Sequence, residues 1–477
     1  MKLESIAKAF RERAPEVEYW SLMLVDDRFE ALSVRQNVLQ PVNNWRNGGA
    51  MIAVHDRGGM GYGATSDLTP GGLAEAAARA TEWAHRTAAR SLVDPAILPR
   101  VAQEGRYSRH GERPWSGMSL SDKIALLQDA NRTLKAGARI VDWSAHLVHL
   151  ARERLLISSV GARLEQDFEC IGGILSAAAN DGSETQNRTH GEDLFRQGGL
   201  EQLEATGFPG EAERVAAEAL QLLDAPDCPS GTMDLLAMPG QMVLQVHESI
   251  GHPLELDRIL GDERNYAGTS FVTPEMIGTY RYGSPLLNVT FDPAREGELA
   301  SYRFDDEGTP AAREYVIRGG ILERTLGGAV SQARSGLPGV ANSRASNWNR
   351  PPIDRMANLN LEPGDKSLEE LIGSVERGVW MDTNRSWSID DSRNKFQFGC
   401  EVGRLIEDGE LKGIVKNPNY RGISATFWRS LDGVGDASTH EVRGLWTCGK
   451  GEPNQAIQVG HAAPACVFRG VDVFGSE

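Results

Sequence analysis

The stretch from Met242 to Leu256 reads MVLQVHESIGHPLEL, and the other features of the sequence are best understood from it. An apolar lead that suits a helix is followed by His247 and Glu248, and a second histidine, His252, stands five positions after the first. Paired histidines on one helix face, with a glutamate beside the first, are typical of zinc sites in which the glutamate acts as general base. The stretch therefore predicts a metal site on a short helix.

The spacing of the two histidines constrains the geometry of that helix. On a regular α-helix, at about 100° per residue, a step of five residues turns the second imidazole roughly 140° away from the first. A π-type turn widens the helix by one residue and would return both imidazoles to one face. Gly251 is expected to ease this distortion, and Pro253 is expected to end or kink the helix beside the metal.

A catalytic zinc site needs three protein ligands and an open position, so a third ligand must come from elsewhere in the chain. Residue type alone gives five candidates, and their spacing does not decide among them: Asp257, His440, Cys448, His461 and Cys466. Glu248 would take the proton from a water molecule that attacks a peptide carbonyl. On the alternative interpretation, His247 and His252 are hydrogen-bonded core histidines and Glu248 is a solvated helix residue.

Around this stretch, the second half of the chain has the pattern of successive β-hairpins. Short apolar runs are separated by Gly319-Gly320 and by Asp408-Gly409, which are residues that tight hairpin turns prefer. The segment DAPDCPSG, from Asp224 to Gly231, contains two prolines and a glycine and suits a domain boundary. We therefore predict an N-terminal domain over residues 1–224 and a β-rich metallopeptidase domain over residues 225–477.

The first half of the chain mixes strand and helix signals. Ser21 to Thr65 holds short apolar runs broken by glycine-rich turns, which predicts a meander of strands. Thr69 and Pro70 predict the start of a helix, and Ser121 predicts the start of a second. A third helical pattern lies around residues 210–225. The predicted fold class is α+β, with an N-terminal antiparallel sheet and packed helices, and a mostly β C-terminal domain carrying the short metal-binding helix.

Composition excludes several classes of protein. The formal net charge of -16 disfavours direct nucleic-acid binding, which draws most of its affinity from basic surfaces. We see no run of about 18 apolar residues that could span a membrane, and the charged N-terminus does not resemble a signal peptide. The five cysteines are widely spaced, without a C-x-x-C pair, which disfavours a disulfide framework. A cytoplasmic protein is expected.

The sequence from Gln245 to Glu275, QVHESIGHPLELDRILGDERNYAGTSFVTPE, resembles the TldD/PmbA family of metallopeptidases, known in older naming as modulators of DNA gyrase. Later blocks are similar too, including NWNRPPIDRMANLNLEPGD, WSIDDSRNKFQFGCEVGRLIEDGEL and TCGKGEPNQAIQVGHAAPACVFRGVDV. The similarity covers nearly all of the chain from about Cys228 onward. In the N-terminal half it rests mainly on the order of strands and helices.

This resemblance implies one Zn²⁺ per chain, held by His247, His252 and Cys448, with Glu248 as catalytic base. It also implies a hollow dimer whose active site opens into an inner chamber that admits unfolded peptides. The partner would be a second copy of the chain or a paralogous subunit. Lys450, two residues after Cys448, would either stabilise charge near the metal or be an ordinary solvated lysine.

Several functions are compatible with these features. The leading prediction is a zinc-dependent metallopeptidase that hydrolyses short or unfolded peptides, for maturation or for degradation. The alternatives are a catalytically silent adaptor subunit of the same fold, a regulator of a topoisomerase, and a zinc hydrolase that acts on a non-peptide amide. The retained H-E-x-x-x-H residues disfavour the adaptor, and the acidic charge disfavours direct contact of a regulator with DNA.

Overall fold

The computed structural model describes residues 3–475, and its first half is built on a nine-stranded sheet. The central order is β4-β3-β1-β6-β7-β5, with β2 beside β1 and both β8 and β9 beside β7. The strands are β1 (Tyr19–Arg35), β2 (Val38–Leu39), β3 (Asn43–Asp56), β4 (Gly59–Thr65), β5 (Glu104–Arg109), β6 (Ile140–Ser158), β7 (Arg163–Asn180), β8 (Thr185–His190) and β9 (Arg196–Gln197). The meander predicted over Ser21 to Thr65 is therefore confirmed. All pairs are antiparallel except β5–β7.

Helices cover this sheet. They are α1 (Leu3–Arg11), α2 (Pro70–Thr87), α3 (Leu120–Leu134), α4 (Glu201–Ala205) and α5 (Ala212–Asp224). The Thr69 side chain caps α2 as predicted, because its hydroxyl accepts from the Gly72 N–H. The predicted start of α3 is wrong by two residues: Ser119 is the cap, and its hydroxyl accepts from the Asp122 N–H. Helix α1, whose Leu3, Ala7 and Phe10 are buried, is an addition to the predicted helices.

A second, seven-stranded sheet organises the rest of the chain, with the order β10-β17-β18-β20-β24-β21 and with β19 beside β18. Its strands are β10 (Gly231–Ala237), β17 (Arg377–Ile389), β18 (Lys395–Glu407), β19 (Glu410–Val415), β20 (Asn419–Ile423), β21 (Leu431–Val434) and β24 (Cys466–Phe474). A four-stranded sheet contains β11 (Val289–Phe291), β12 (Glu314–Arg318), β13 (Ile321–Leu322) and β16 (Leu359–Leu361). Two further sheets have two strands each, and they pair β14 (Ser343–Arg344) with β15 (Ile353–Asp354) and β22 (Glu441–Lys450) with β23 (Gln455–Ala463). Gly319-Gly320 joins β12 to β13 and Asp408-Gly409 joins β18 to β19, both with positive φ, as predicted.

The β-rich half contains more helical segments than the single short helix that was predicted. They are α6 (Pro239–Val246), α7 (His252–Leu254), α8 (Leu256–Ile259), α9 (Ala329–Ser335), α10 (Leu368–Gly373) and α11 (Ser424–Arg429). Every residue of α6 is buried, and the helix packs against β17 and β23. A helix that is buried on all sides belongs to the interior of its domain. The element that precedes the histidine motif is therefore held rigidly by the core.

The mixed α+β class and the β-rich second half are confirmed by this architecture. The first half ends with α5 at Asp224, and β10 opens the second sheet at Gly231. The division between domains at residue 224 stays a prediction. Within residues 3–475, no helix is both long and apolar enough to cross a membrane.

Candidate metal centre

The histidine motif lies on a widened helical turn. Residues His247–Gly251 form a π-helical turn between α6 and α7, and the His252 N–H donates to the carbonyl of His247, five residues back. The two imidazole rings consequently lie with their centroids 4.8 Å apart. The predicted π-type turn is confirmed, and it compensates for the extra residue in H-E-x-x-x-H because one turn then holds about one residue more.

The predicted reason for Gly251 is wrong. Its backbone has φ -57° and ψ -67°, which is a right-handed conformation open to any residue. A β-carbon built at Gly251 would instead lie 2.0 Å from the Sδ atom of the buried Met356. The glycine is needed for this close approach. The helix then breaks after Leu254, where Glu255 has ψ 119°, so the expected end beside Pro253 is present.

Three potential metal ligands converge at this turn. One ligand atom each from His247, His252 and Cys448 lies within 4.8 Å of the other two, and all three residues are buried. The Cys448 Sγ is 3.7 Å from the His252 Nε2, although 196 residues separate them. Cys448 reaches the helix because it lies on β22, near the end of that strand. The structure thus brings together the two motif histidines and one of the five candidate third ligands.

A second histidine fixes the orientation of His247. The Nδ1 of His461 lies 2.8 Å from the Leu359 carbonyl oxygen, which can only accept, so this nitrogen carries the proton. Burial lowers the pKa of His461 to about 3, so the ring is neutral and its Nε2 is an acceptor. The His247 Nδ1–H therefore donates to the His461 Nε2, at 2.9 Å. This leaves the His247 Nε2 free to bind a metal ion.

A carboxylate orients the other histidine in the same way. The Nδ1 of His252 lies 2.9 Å from the Glu255 Oε2, so its N–H donates to the carboxylate and its Nε2 is left toward Cys448. Glu255 is fully buried, and Lys450 and Arg258 hold it ionised, which keeps its pKa low despite the opposing effect of burial. Glu255 stands three residues after His252, so helical spacing could have pointed to it.

Lys450 is not the solvated lysine that was one alternative. Its side chain is fully buried, and its Nζ lies 2.6 Å from the Asp257 Oδ1 and 3.4 Å from the Glu255 Oε2. Burial favours the neutral form, but these carboxylates outweigh it and raise the pKa of Lys450. Lys450 therefore joins the strand that carries Cys448 to the carboxylate that orients His252.

Glu248 lies beside these ligands with an ionic partner of its own. Its side chain is 7% exposed, and its Oε2 accepts from the Arg393 Nη1 at 2.7 Å. Burial raises the pKa of Glu248, but the two motif histidines, when protonated, together with Arg393 outweigh it and hold the pKa below its ordinary value. No sequence pattern points to Arg393, because an arginine in a polar hairpin turn has no distinguishing neighbours.

The other candidate third ligands have different surroundings. Asp257 pairs with Lys450, and His461 orients His247 as described. Cys466 is buried against the Pro464 carbonyl, and burial raises its pKa. His440 lines the cavity in front of the ligands. Among the described residues, only His247, His252 and Cys448 form a group that could hold a metal ion.

The chemistry of this donor set fits zinc. Two neutral imidazoles and a thiolate are a known catalytic zinc set. Burial raises the pKa of Cys448, but a protonated His252 together with Arg355 outweighs it and lowers the pKa below its ordinary value. At Cys466 burial acts alone and raises the pKa.

The ligands open into a cavity of about 970 Å³ between the two halves of the chain. Its wall is formed by Trp387, which is 58% exposed, and by polar residues of β8, β17 and β22. Five arginines line it: Arg188, Arg196, Arg214, Arg393 and Arg443. The cavity thus combines polar and apolar lining residues next to the candidate metal ligands.

Comparison with known proteins shows the family of this chain. The model of the PmbA/TldA metallopeptidase C-terminal domain matches residues 230–475, that of domain 1 matches residues 20–84, and that of the central domain matches residues 113–223. A protein of Methanothermobacter thermautotrophicus named metalloprotease is 27% identical over 463 residues, which cover 96% of both chains. The metalloprotease TldD homologue of Haemophilus influenzae is 25% identical over 394 residues, covering 81% of this chain and 78% of its own.

Solved structures share the fold at lower identity. A putative modulator of DNA gyrase from Thermotoga maritima superposes with a TM-score of 0.76 at 18% identity, over 99% of both chains. TldE from Thermococcus kodakarensis gives a TM-score of 0.73 at 16% identity, over 99% of this chain and 100% of its own. Because the C-terminal family model alone spans more than half of the 477 residues, this chain belongs to the TldD/PmbA family of metallopeptidases.

Proposed function

We propose that this protein is a zinc metallopeptidase that hydrolyses short or unfolded peptides. The observation that carries the proposal is the convergence of His247, His252 and Cys448 beside the carboxylate of Glu248, at the wall of a large cavity. Relatives named metalloproteases, and one from Saccharolobus solfataricus named zinc metalloprotease TldD homolog, support the same chemistry. The adaptor alternative finds no support in a chain that retains all four of these residues.

The proposed roles follow from the geometry. His247 and His252, each with its Nδ1–H donated to a neighbour, and the thiolate of Cys448 would hold one zinc ion. When bound, zinc supplies a Lewis acid that polarises the peptide carbonyl and lowers the pKa of water. Glu248 would accept a proton from the attacking water and then deliver it to the amine nitrogen as the C–N bond breaks.

The cavity supports a peptide as substrate. β22 carries Cys448 and pairs with β23 in a two-stranded sheet, while the N-terminal half reaches β22 through the bridge between Leu194 and Gly444. Beyond that bridge, Leu445, Thr447 and Gly449 line the cavity. An extended substrate could add its backbone to this part of the strand, which makes little demand on side chains. Cleavage would then be broad in sequence and restricted to segments without stable folds.

We also propose that the active form is a dimer, either of this chain or with a paralogous subunit. The family resemblance implies such a dimer with an inner chamber, and the fold matches TldE of Thermococcus kodakarensis along its whole length. A chamber would admit unfolded segments and exclude folded domains. The same proposal includes a cytoplasmic location, no membrane association and no direct nucleic-acid partner, the last supported by the net charge of -16.

The test compares cleavage of one peptide sequence as an unstructured substrate and as part of a folded domain. Purified protein should contain about one zinc per chain and cleave an unstructured, fluorogenically labelled peptide. A chelator should abolish cleavage, and added zinc should restore it. A stably folded domain into which the same peptide sequence has been built should survive until heat or denaturant unfolds it. Full activity without metal, or equal cleavage of the folded substrate, would contradict the proposal.

A further inference from the structure

Arg393 lies at the tip of the hairpin between β17 and β18, and its side chain contacts Glu248 beside the candidate metal centre. Its Nη1 donates to the Glu248 Oε2 at 2.7 Å, so a long cationic side chain touches the carboxylate assigned as base. Its side chain is 15% exposed and lines the same cavity as His247 and Cys448. A guanidinium in this position can reach any group that enters between Glu248 and the ligands.

The backbone under Arg393 is held firmly in an uncommon conformation. Arg393 has φ +61°, a left-handed value at which a side chain other than Gly or Asn is uncommon. Neighbouring backbone bonds fix the tip, since the N–H groups of Thr269 and Phe271 donate to the carbonyls of Asp391 and Ser392. The Ser424 hydroxyl donates to the Arg393 carbonyl itself. The fold therefore fixes the backbone from which this side chain extends toward Glu248.

The guanidinium has donors to spare. Arginine offers five N–H donors in a planar fork, and one of them is used by Glu248. The Nε of Arg393 is buried and has no hydrogen-bond partner among residues 3–475. Within the described residues, the Nε atoms of Arg196 and Arg443 at the same cavity also have no partner, so the contact with Glu248 is what distinguishes Arg393. A substrate oxygen would complete its hydrogen bonds.

Most of the other arginines of the cavity are engaged elsewhere. Arg188 pairs with Glu401 and Glu218, Arg214 pairs with Glu211 and Glu218, and Arg443 pairs with Asp193 and Glu441. Arg196 donates to the Val442 carbonyl. Among these five cations, Arg393 is the one whose carboxylate partner is the proposed base. It is therefore the cation best placed to act at the reacting carbonyl.

We propose that Arg393 is a catalytic residue that binds the carbonyl oxygen of the scissile peptide bond and stabilises the negative charge that develops on it. As the water oxygen bonds to the carbonyl carbon, the π-electron pair of the C=O bond moves to the carbonyl oxygen, and the water proton goes to Glu248. The oxyanion then competes with Glu248 for the guanidinium, which binds planar and charged oxygen groups strongly. When the electron pair of the oxyanion re-forms the C=O bond, the C–N bond breaks, and the proton passes from Glu248 to the amine nitrogen.

This inference rests on the proposed function, and the experiment separates the two. Arg393→Ala, Arg393→Lys and the control Arg385→Ala would be purified with zinc. Arg385 lies on β17 of the same hairpin and contacts Gln186 and Asn417. Elemental analysis and thermal unfolding establish that zinc and fold are retained. The kcat and KM for an unstructured peptide are then compared with the affinity, by calorimetry, of a phosphinic peptide whose tetrahedral phosphinate resembles the oxyanion state.

Arg393→Ala should lower kcat by about 10²–10³-fold, as loss of one oxyanion donor does, and should leave KM within about threefold. The affinity of the phosphinic peptide should fall in parallel, free guanidinium should restore part of the rate, and Arg393→Lys should be intermediate because it keeps the charge and loses the fork. Arg385→Ala should behave as the parent.

Two results would overturn the assignment. One is an Arg393→Ala or Arg393→Lys protein, folded and zinc-loaded, with parental kcat and parental affinity for the phosphinic peptide. The other is a loss confined to KM, which would make Arg393 a ground-state contact. A parent protein that binds zinc but cleaves no peptide would defeat the proposed function instead, and the phosphinic-peptide affinities would still report on Arg393.

Discussion

His247 donates its Nδ1–H to the Nε2 of His461 at 2.9 Å, and His461 in turn donates to the Leu359 carbonyl. This two-step relay sets the tautomer of a proposed metal ligand from a β-strand 214 residues away in the sequence. His461→Phe should therefore lower zinc affinity by about 10–100-fold, the usual effect of losing such a partner. Competition with a chromogenic chelator measures it. His440→Phe, at the cavity wall, is the control, and equal losses in both variants would contradict the relay.

Glu248→Gln should retain zinc and the fold while hydrolysis falls by at least about 10²-fold, because the amide cannot accept the proton. His247→Ala should instead lose the metal. Zinc content and peptide turnover, measured on the same preparations, distinguish the two effects. If the Glu248→Gln protein kept near-parental turnover, its assignment as base would be wrong.

Cys448→Ser should weaken zinc retention far more than Cys466→Ser, since the thiolate of Cys448 is the proposed soft ligand. Both cysteines are buried, and each exchange introduces a hydroxyl in place of a thiol, so the pair controls for effects of burial. Zinc content after dialysis against a weak chelator is the measurement. Equal loss would point to a general effect on folding, and no loss in Cys448→Ser would reopen the choice of third ligand.

Lys450→Met should lower the free energy of unfolding by about 3–5 kcal/mol, because it leaves Asp257 buried without its cation and removes one of the cations beside Glu255. Denaturant unfolding of metal-free protein isolates this effect from zinc binding. Lys412→Met, at an exposed pair with Glu410, should change stability by less than about 1 kcal/mol. A Lys450→Met protein as stable as the parent would show that the pair contributes nothing net.

Much of the fold could be predicted from local patterns. The Thr69 cap, the Gly319-Gly320 turn and the Asp408-Gly409 turn depend on short-range chemistry, and all three are present. The cap of α3 was misplaced from Ser119 to Ser121, because two serines two residues apart offer nearly the same local signal. The number of short helices in the second half was underestimated, since segments of three to eight residues are stabilised by packing rather than by propensity.

The sequence by itself determined the histidine motif, the π-type turn that its spacing requires, and the mixed α+β class, because each depends on neighbours within a few residues. Tertiary structure alone decided which distant side chains complete the site. Cys448 approaches His252 across 196 residues, and Arg393 approaches Glu248 across 145. Spacing along the chain carries no information about such contacts, because the packing of β22 and of the β17–β18 hairpin against the motif helix creates them.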